Sequence, residues 1–510
     1  MSDYLMGIDN GGTLSKAVIF DSAGRQVAAA ARQVPLILPE PGHTERDMEV
    51  LWLANVQAIL DVLAMARNVP GFQPERIRGM ACTGHGSGLY LWGMDGRPAW
   101  NGIVSTDTRA WRQVQAWQDD GTAARVRERT CQSILTCQPA GLLRWFMEHH
   151  PEVLDRTLWI FAVKDYIRYR LTGVALSESS DYSGAGLMNL REASFDRSLL
   201  VDYGLESLYD RLPPLRRSTD CCGTLTPEAA SLTGLPPGIP LAGGMFDINA
   251  CAVACGVTDS TNLCVIAGTW GINEYVSPSP VLDGSIMMNS LFCLPDLYLV
   301  EESSPTSAGN YEWFTKLFLD SERRQAADRG ITLYELAAEM AAAVPADGQD
   351  IVFLPYIFGS NYNPRAKACF IGLEAGHSRA QLIRAVLEGI VFCHRVHVDK
   401  LLLNRPRSGA IRLAGGAAKS ALWAQLFADI LGFPVELVEA SELGTLGCAM
   451  AAAVVAGLYP DLRAAAVGMS AVSQRLEPDG SLAAIYQRKY LRYLRVAAAL
   501  DPLWEGWMEP

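Results

Sequence analysis

Leu5-Met-Gly-Ile-Asp9-Asn-Gly11-Gly12-Thr13-Leu-Ser-Lys16-Ala-Val-Ile-Phe20 is the stretch on which the fold turns. Leu5 to Asp9 reads as a short buried strand that ends in an acid. Asn10 to Thr13 is a tight turn without bulky side chains, and Lys16 to Phe20 is the returning strand. Asp21-Ser-Ala-Gly24 then leads into a third strand from Gln26 to Arg32. A turn of this kind exposes consecutive backbone N–H groups and lets an anion approach closely. Asp9, at the strand end, can hold a metal ion directly or through water.

The pattern restarts in the second half. Asn262 to Ala267 reads as a strand, Gly268-Thr269-Trp270-Gly271 as a small-residue turn, and Ile272 to Val276 as the strand out. This points to an internal duplication, with one phosphate-turn hairpin opening each half. Between the two copies, Met48 to Arg67 is an amphipathic helix pattern. Ile77 to Cys82 is a strand that runs into the glycine-rich loop Thr83-Gly84-His85-Gly86-Ser87-Gly88. Asn101 to Arg109 and Leu241-Ala-Gly-Gly244-Met-Phe-Asp247 are further strand-to-loop junctions with polar residues at the exit, where α/β sheets place ligands. Ile411 to Ala414 leads into Gly415-Gly416-Ala417-Ala418-Lys419-Ser420 and a helix from Ala421, and Gly444-Thr445-Leu446-Gly447 opens another. Glycines at helix starts favour anions.

Composition narrows the class. The 510 residues suit two or three domains. With 49% hydrophobic and 19% charged residues, large cores are affordable and disorder is excluded as the main state. The net charge of −12, with no run of Lys or Arg, argues against nucleic acid and mildly against anionic membranes as partners. No stretch reaches about 18 apolar residues and the first residues lack a basic segment, so a cytoplasmic protein is expected. The 12 scattered cysteines contain no Cys-x-x-Cys and are expected to be reduced and mostly buried. His394-x-x-His397 sits on a helix pattern and reads as a pair of surface histidines rather than a zinc site.

Taken in order, these segments resemble the sugar kinases named for their Phe-Gly-Gly-Tyr signature. Gly7-Ile-Asp9 through Thr13 with Lys16 resembles that family's first phosphate loop, and Gly243-Gly244-Met-Phe-Asp247 its catalytic segment. Gly268-Thr269-Trp-Gly271 resembles the second phosphate loop. Phe353-Leu-Pro-Tyr356 through Gly359 to Pro364 resembles a hinge-side loop, and Gly415 to Ser420 with Asp429 the adenosine loop. Lys164-Asp-Tyr166, Leu171-Thr-Gly173, Ser304 to Asn310 with Trp313, and Pro41-Gly-His43 with Glu45-Arg46-Asp47 are similar to the members that act on L-xylulose. Two departures bear on the sugar. Gly12 stands where many relatives have Thr, and His85-Gly86-Ser87 stands where xylulose kinases often carry Gln-Met-His.

The resemblance implies an α/β, two-domain actin/hexokinase-like (ribonuclease H-like) fold with an interdomain cleft. Residues 1–250 would form the sugar-side domain, 256–456 the ATP-side domain and 457–510 the closing helices. It implies ATP-dependent phosphorylation of a ketopentose, L-xylulose, to its 5-phosphate, using ATP and Mg²⁺. Asp247 is the expected general base, although capping a helix is the ordinary role for an aspartate so placed. Asp9 is expected to position Mg²⁺. The nucleotide set implied is Gly11, Thr13, Lys16, Gly268, Thr269, Gly309, Gly415, Gly416, Ala417 and Ser420. Lys419 lacks the preceding glycine of a P-loop lysine and is left out. The sugar set implied is His85, Ser87, Asp107 and Gln138 with Asp247. An exposed turn residue is the plain alternative for His85, and a local ion pair with Arg109 for Asp107. The resemblance implies dimers or tetramers, and a homodimer is the expected partner state. A kinase for another sugar or polyol is the alternative. A non-catalytic sugar sensor on the same fold would typically lose Asp9 or Asp247, and a chaperone-like ATPase would need a peptide-binding domain.

Overall fold

The computed structural model describes residues 3–505 apart from 269, 362, 364, 408, 440 and 441. Thr269 of the second phosphate turn and Pro364 of the hinge-side loop therefore lie outside the described residues. The chain forms two compact units, each discontinuous in sequence. Unit 1 comprises 1–258, 276–300 and 440–471; unit 2 comprises 259–275, 301–439 and 472–510.

Unit 1 is built on a mixed sheet. Its strands lie in the order Cys221–Thr224, Pro240–Ala242, Ile77–Gly84, Tyr4–Asn10, Leu14–Asp21, Gln26–Gln33, and Met245–Phe246 extends beside the end of Ile77–Gly84. Tyr4–Asn10 runs antiparallel to Leu14–Asp21 and parallel to Ile77–Gly84. Alternate residues of Tyr4–Asn10 serve opposite faces. Tyr4, Met6 and Ile8 join Leu51, Ile59, Val62 and Leu63 of the helix Met48–Ala66 in one core. On the other face lies the helix Leu443–Val455. A Cβ on Gly7 would sit 2.1 Å from the Thr445 carbonyl oxygen, so this strand and this helix can touch only through a glycine.

Met48–Ala66 is capped by Asp47, whose carboxylate accepts from the Glu49 and Val50 amides. By length and composition this 19-residue helix is apolar enough to cross a membrane, which the sequence reading did not find. Its apolar side is packed into the core just described.

Unit 2 repeats the plan. Five of its strands lie side by side in the order Gly271–Ser277, Leu263–Ala267, Ile411–Gly415, Val435–Val438, Val472–Leu476. Leu263–Ala267 is antiparallel to Gly271–Ser277 and parallel to Ile411–Gly415, as Tyr4–Asn10 is to its own two neighbours. The long helices Arg379–Leu401 and Ala483–Glu505 belong to this unit.

Chain order and packing part company after residue 439. Leu443–Val455 and Leu462–Met469 belong to unit 1, whereas Val472–Leu476 returns to unit 2 as an edge strand antiparallel to Val435–Val438. The expected tail of closing helices thus contains a strand, and its two helices serve different units.

Candidate active site

The register of unit 1 brings three expected residues to one edge. Asn10 pairs with Gly84, and Gly84 with Phe246, so three parallel strands end on one line. Asp9 lies one residue before that line, and His85 and Asp247 one residue after it. The carboxyl end of a parallel sheet is where an α/β fold exposes polar groups to a ligand.

Gly11 and Gly12 are partly exposed and Thr13 is exposed at the hairpin turn. Asp9 pairs with Lys16 across the hairpin. Burial raises the pKa of the Asp9 carboxyl above its ordinary value, with Lys16 opposing and Glu442 reinforcing that shift. Lys16 is bound to Glu442, Nζ to Oε2, at 2.8 Å. Sequence reasoning missed Glu442, since no local signal joins it to Lys16.

Asp247 is the first residue of the helix Asp247–Ala254 and is half-buried. No side-chain bond caps this helix from Phe246, and an acid in the first turn suits the helix dipole. The approach to Asp247 is sharply bent. Gly244 has φ +76°, and a Cβ there would lie 1.9 Å from the Cys82 carbonyl oxygen.

His85 is buried rather than an exposed turn residue. Its Nε2 lies 3.0 Å from the Tyr90 hydroxyl and its Nδ1 3.1 Å from the Gly86 carbonyl. Arg46 Nε donates to the same Tyr90 oxygen at 2.7 Å. The Tyr90 hydrogen is then free for His85 Nε2, which leaves Nδ1–H to donate to Gly86. Burial, helped by the charge of Arg46, lowers the pKa of His85 to about 3, so the ring is neutral. Arg46 also donates to the Gly11 carbonyl at 2.9 Å, so one guanidinium ties the first phosphate turn to the His85 loop. Gly86 lies against the Phe246 ring, where a Cβ would approach Cε2 to 2.2 Å. That contact sets the His85 loop beside the Asp247 segment. Ser87 is half-buried with φ 58°, a strained backbone for a residue with a side chain.

Asp107 and Gln138 are held by protein groups. Asp107 meets Arg109 Nε at 3.0 Å and Nη2 at 2.8 Å and accepts the Thr44 amide at 2.6 Å. The local ion pair weighed against a sugar role is therefore present. Gln138 Nε2 donates to Gln132 and to the Gly184 carbonyl, and its Oε1 accepts the Leu135 amide.

In unit 2, the second phosphate turn is drawn tight by Gly268 N–H donating to the Trp270 carbonyl at 3.1 Å. The Gly268 carbonyl accepts from Ala308 N–H at 2.8 Å, which places Gly309 at the head of the helix Ala308–Phe318 beside that turn. Ala267 pairs with Gly415, and Gly415, at φ +85°, leads into Gly416 and the buried Ala417. Ser420 caps the helix Ala421–Leu431, its hydroxyl accepting from Trp423. Gly268, Gly309, Gly415 and Gly416 are therefore brought near one another by the strand pairing and the Gly268–Ala308 bond.

His394 and His397 are not surface residues; both are buried, because Arg379–Leu401 is a core helix. His394 Nδ1 faces Asn273 Oδ1 at 2.8 Å and its Nε2 faces Ser307 Oγ at 2.8 Å. His397 Nδ1 pairs with Glu302 at 3.1 Å. With these partners they form no zinc site, and no group of three or more metal-ligating side chains occurs among the described residues. A single carboxylate such as Asp9 still fits Mg²⁺, which keeps most of its waters and takes phosphate oxygens as ligands.

Two hairpins of the same build, each opening an α/β unit, and two carboxylates at one sheet edge of unit 1 are the arrangement expected of a carbohydrate kinase of the actin/hexokinase type. The chain belongs to the FGGY family of carbohydrate kinases: the family's N-terminal domain matches residues 4–254 and its C-terminal domain residues 263–456. Family members use ATP and Mg²⁺. The chain is 34% identical to the L-xylulose/3-keto-L-gulonate kinase of Escherichia coli (strain K12), over 98% of both chains. It is 32% identical to a probable L-xylulose kinase of Pasteurella multocida (strain Pm70), over 98% of this chain and 100% of that one. Among solved structures, xylulose kinase from Rhodospirillum rubrum superposes with a TM-score of 0.85 at 26% identity, covering 98% of this chain and 100% of that one. Gluconate kinase from Lactobacillus acidophilus shares the fold, with a TM-score of 0.87 at 24% identity over 98% and 99% of the two chains.

Proposed function

We propose that this enzyme transfers the terminal phosphoryl group of ATP to L-xylulose, forming L-xylulose 5-phosphate. The observation that carries the chemistry is the line of strand ends that sets Asp9, His85 and Asp247 along one edge of unit 1. The substrate follows from the names of the relatives that match the whole chain, two of which act or are thought to act on L-xylulose. The name of the first also makes 3-keto-L-gulonate the second substrate to try.

Asp247 accepts the proton of the attacking hydroxyl. In a loose transition state that proton leaves late, when the oxygen has become acidic, so a carboxylate of ordinary basicity suffices. Asp9 would hold Mg²⁺, and the ion would supply charge neutralisation of the phosphates. Thr13 and Lys16 are assigned to phosphate. Gly268, Thr269 and Gly309 are assigned as phosphate donors, and Gly415, Gly416, Ala417 and Ser420 to the adenosine. His85 and Ser87 read sugar hydroxyls. Asp107 and Gln138, whose polar atoms are bound within the protein, act on the sugar by fixing the loops that carry them. The working state is a cytoplasmic homodimer without nucleic-acid or membrane partners, and sedimentation tests the dimer.

The test is ADP release from purified enzyme with ATP and Mg²⁺ against a panel of pentuloses, hexuloses, 3-keto-L-gulonate and polyols. The expected result is the highest kcat/KM on L-xylulose, with phosphorus at C5 by NMR. A higher kcat/KM on any other acceptor overturns the substrate.

A further inference from the structure

Unit 1 buries a cluster of five charged side chains that the proposed reaction does not use. Lys164, Asp165, Arg168 and Glu178 are fully buried, and Asp181 is 3% exposed. Lys164 Nζ lies 2.8 Å from Asp165, 3.3 Å from Glu178 and 3.6 Å from Asp181, and Arg168 lies 2.8 Å from Asp165. Removing that many charges from water is costly, and it adds less stability than a well-packed apolar core would. A role in specifying geometry explains the cluster better, and its hydrogen bonds show which geometry.

They converge on the backbone leading to Asp247. Arg168 Nη1 donates to the Gly243 carbonyl at 2.5 Å. The Phe246 amide donates to Ser180 Oγ at 3.1 Å, and Ser180 Oγ–H donates to Glu178 Oε2 at 2.8 Å. Glu178 Oε1 accepts from Ser218 Oγ at 2.8 Å, and the Ser218 carbonyl accepts the Gly244 amide at 3.1 Å. Residues 243, 244 and 246 are thus each bonded to the cluster or to a residue whose side chain the cluster holds. Gly244, with its left-handed backbone, sits in the middle of this span. The Phe246 amide adjoins Asp247 directly, and it donates to the Ser180 side chain.

We propose that Ser180, oriented by Glu178, and Arg168 are positioning residues that fix the Gly243–Phe246 backbone and so aim the Asp247 carboxylate. The proposal rests on the reading of Asp247 as proton acceptor. Small misplacements of a reacting group are costly in rate, whereas binding of either substrate elsewhere is indifferent to them.

The experiment compares Ser180→Ala, Ser180→Thr and Asp247→Asn, each alone, and Ser180→Ala combined with Asp247→Asn. Read-outs are kcat, both KM values, ATP binding by titration calorimetry and Tm. Ser180→Ala is expected to lower kcat by about tenfold, the effect of one hydrogen bond, with the KM for ATP unchanged. Ser180→Thr, which keeps the hydroxyl, should restore most of the loss. In the Asp247→Asn background, Ser180→Ala should cost nothing further, because groups that act as a unit are not additive. An unchanged kcat for Ser180→Ala overturns the positioning role, as does an equal loss in both backgrounds. If Asp247→Asn alone keeps full activity, the proton-acceptor reading fails instead, and the two failures are told apart.

Discussion

Lys16 and Glu442 stand 426 positions apart in the chain, yet Lys16 Nζ meets Glu442 Oε2 at 2.8 Å. Both side chains keep partial exposure, 30% and 26%, at the edge where Asp9 lies. Burial alone would lower the Lys16 pKa, but the bond and charge of Glu442, together with the charges of Asp9 and Cys251, outweigh it, and the pKa ends above its ordinary value. A lysine so raised stays charged below its unfolded value, and the ion pair is lost only as pH climbs through the higher folded value. The working range from pH 6 to 9 therefore leaves Lys16 cationic. Lys16→Met should lower kcat/KM for ATP by roughly ten- to a hundredfold, the size of a charge-assisted bond to phosphate. The loss should be the same at pH 6.5 and pH 8.5. A loss that disappears at high pH would show that the lysine titrates there.

Asp247→Asn should lower kcat by about 10²–10⁴-fold, the usual cost of removing a general base. Asp247 opens its helix, and asparagine is an isosteric replacement that keeps the polar atoms at the helix start. Tm and ATP affinity should stay close to the parent. Stopped assays with L-xylulose, together with calorimetry of ATP, check both halves. Parent-like turnover would return Asp247 to the role of a helix-terminal acid.

The strand ends were legible in the sequence because each is an apolar run closed by glycines and one acid or histidine, as in Leu5 to Asp9 and Leu241 to Asp247. The Asp107–Arg109 pair was legible because it is local. Glu442 was not, since its partner is on the opening hairpin and only the folded chain brings them together. Nor was the burial of His394. Helical spacing gives the face a residue occupies on its own helix, but Asn273 and Ser307 come from other elements. The placement of Leu443–Val455 in unit 1 had one readable trace, a small-residue helix matched to a glycine, Gly7, at the centre of a buried strand. Chain order hid it.

Buried neutral histidines make the fold sensitive to acid. His85 and His394 are both held near a pKa of about 3, chiefly by burial. An unfolded histidine titrates near 6.5. Between those values the unfolded chain takes up protons that the folded chain refuses, so the stability present above about pH 6.5 is lost as pH falls toward 3. Urea unfolding at pH 7.5 and pH 5.0 should show a clear drop at the lower pH. His85→Gln should shrink that drop and raise the sugar KM by a few-fold to tenfold, with the ATP KM little moved. An unchanged sugar KM would remove His85 from the sugar site.

Asp181 has the opposite sign. Burial pushes its pKa up to about 8, and Lys164, 3.6 Å away, only partly offsets this beside the like charges of Asp165 and Glu178. An unfolded aspartate titrates near 3.9. Between about pH 4 and pH 8 the folded chain therefore keeps a proton that the unfolded chain has released. Stability is fullest at the acid end of that window, falls as pH rises through it, and levels off above about pH 8. Asp181→Asn keeps the shape without the titrating proton. Its stability relative to the parent should rise steadily from pH 5 to pH 8 in urea unfolding. A difference that is flat across that range would mean Asp181 is ionised in the folded protein throughout. The cluster around Lys164 would then carry a net negative charge behind Gly243–Phe246. Protonation instead leaves two acids against two bases, the neutral count that a fully buried cluster requires.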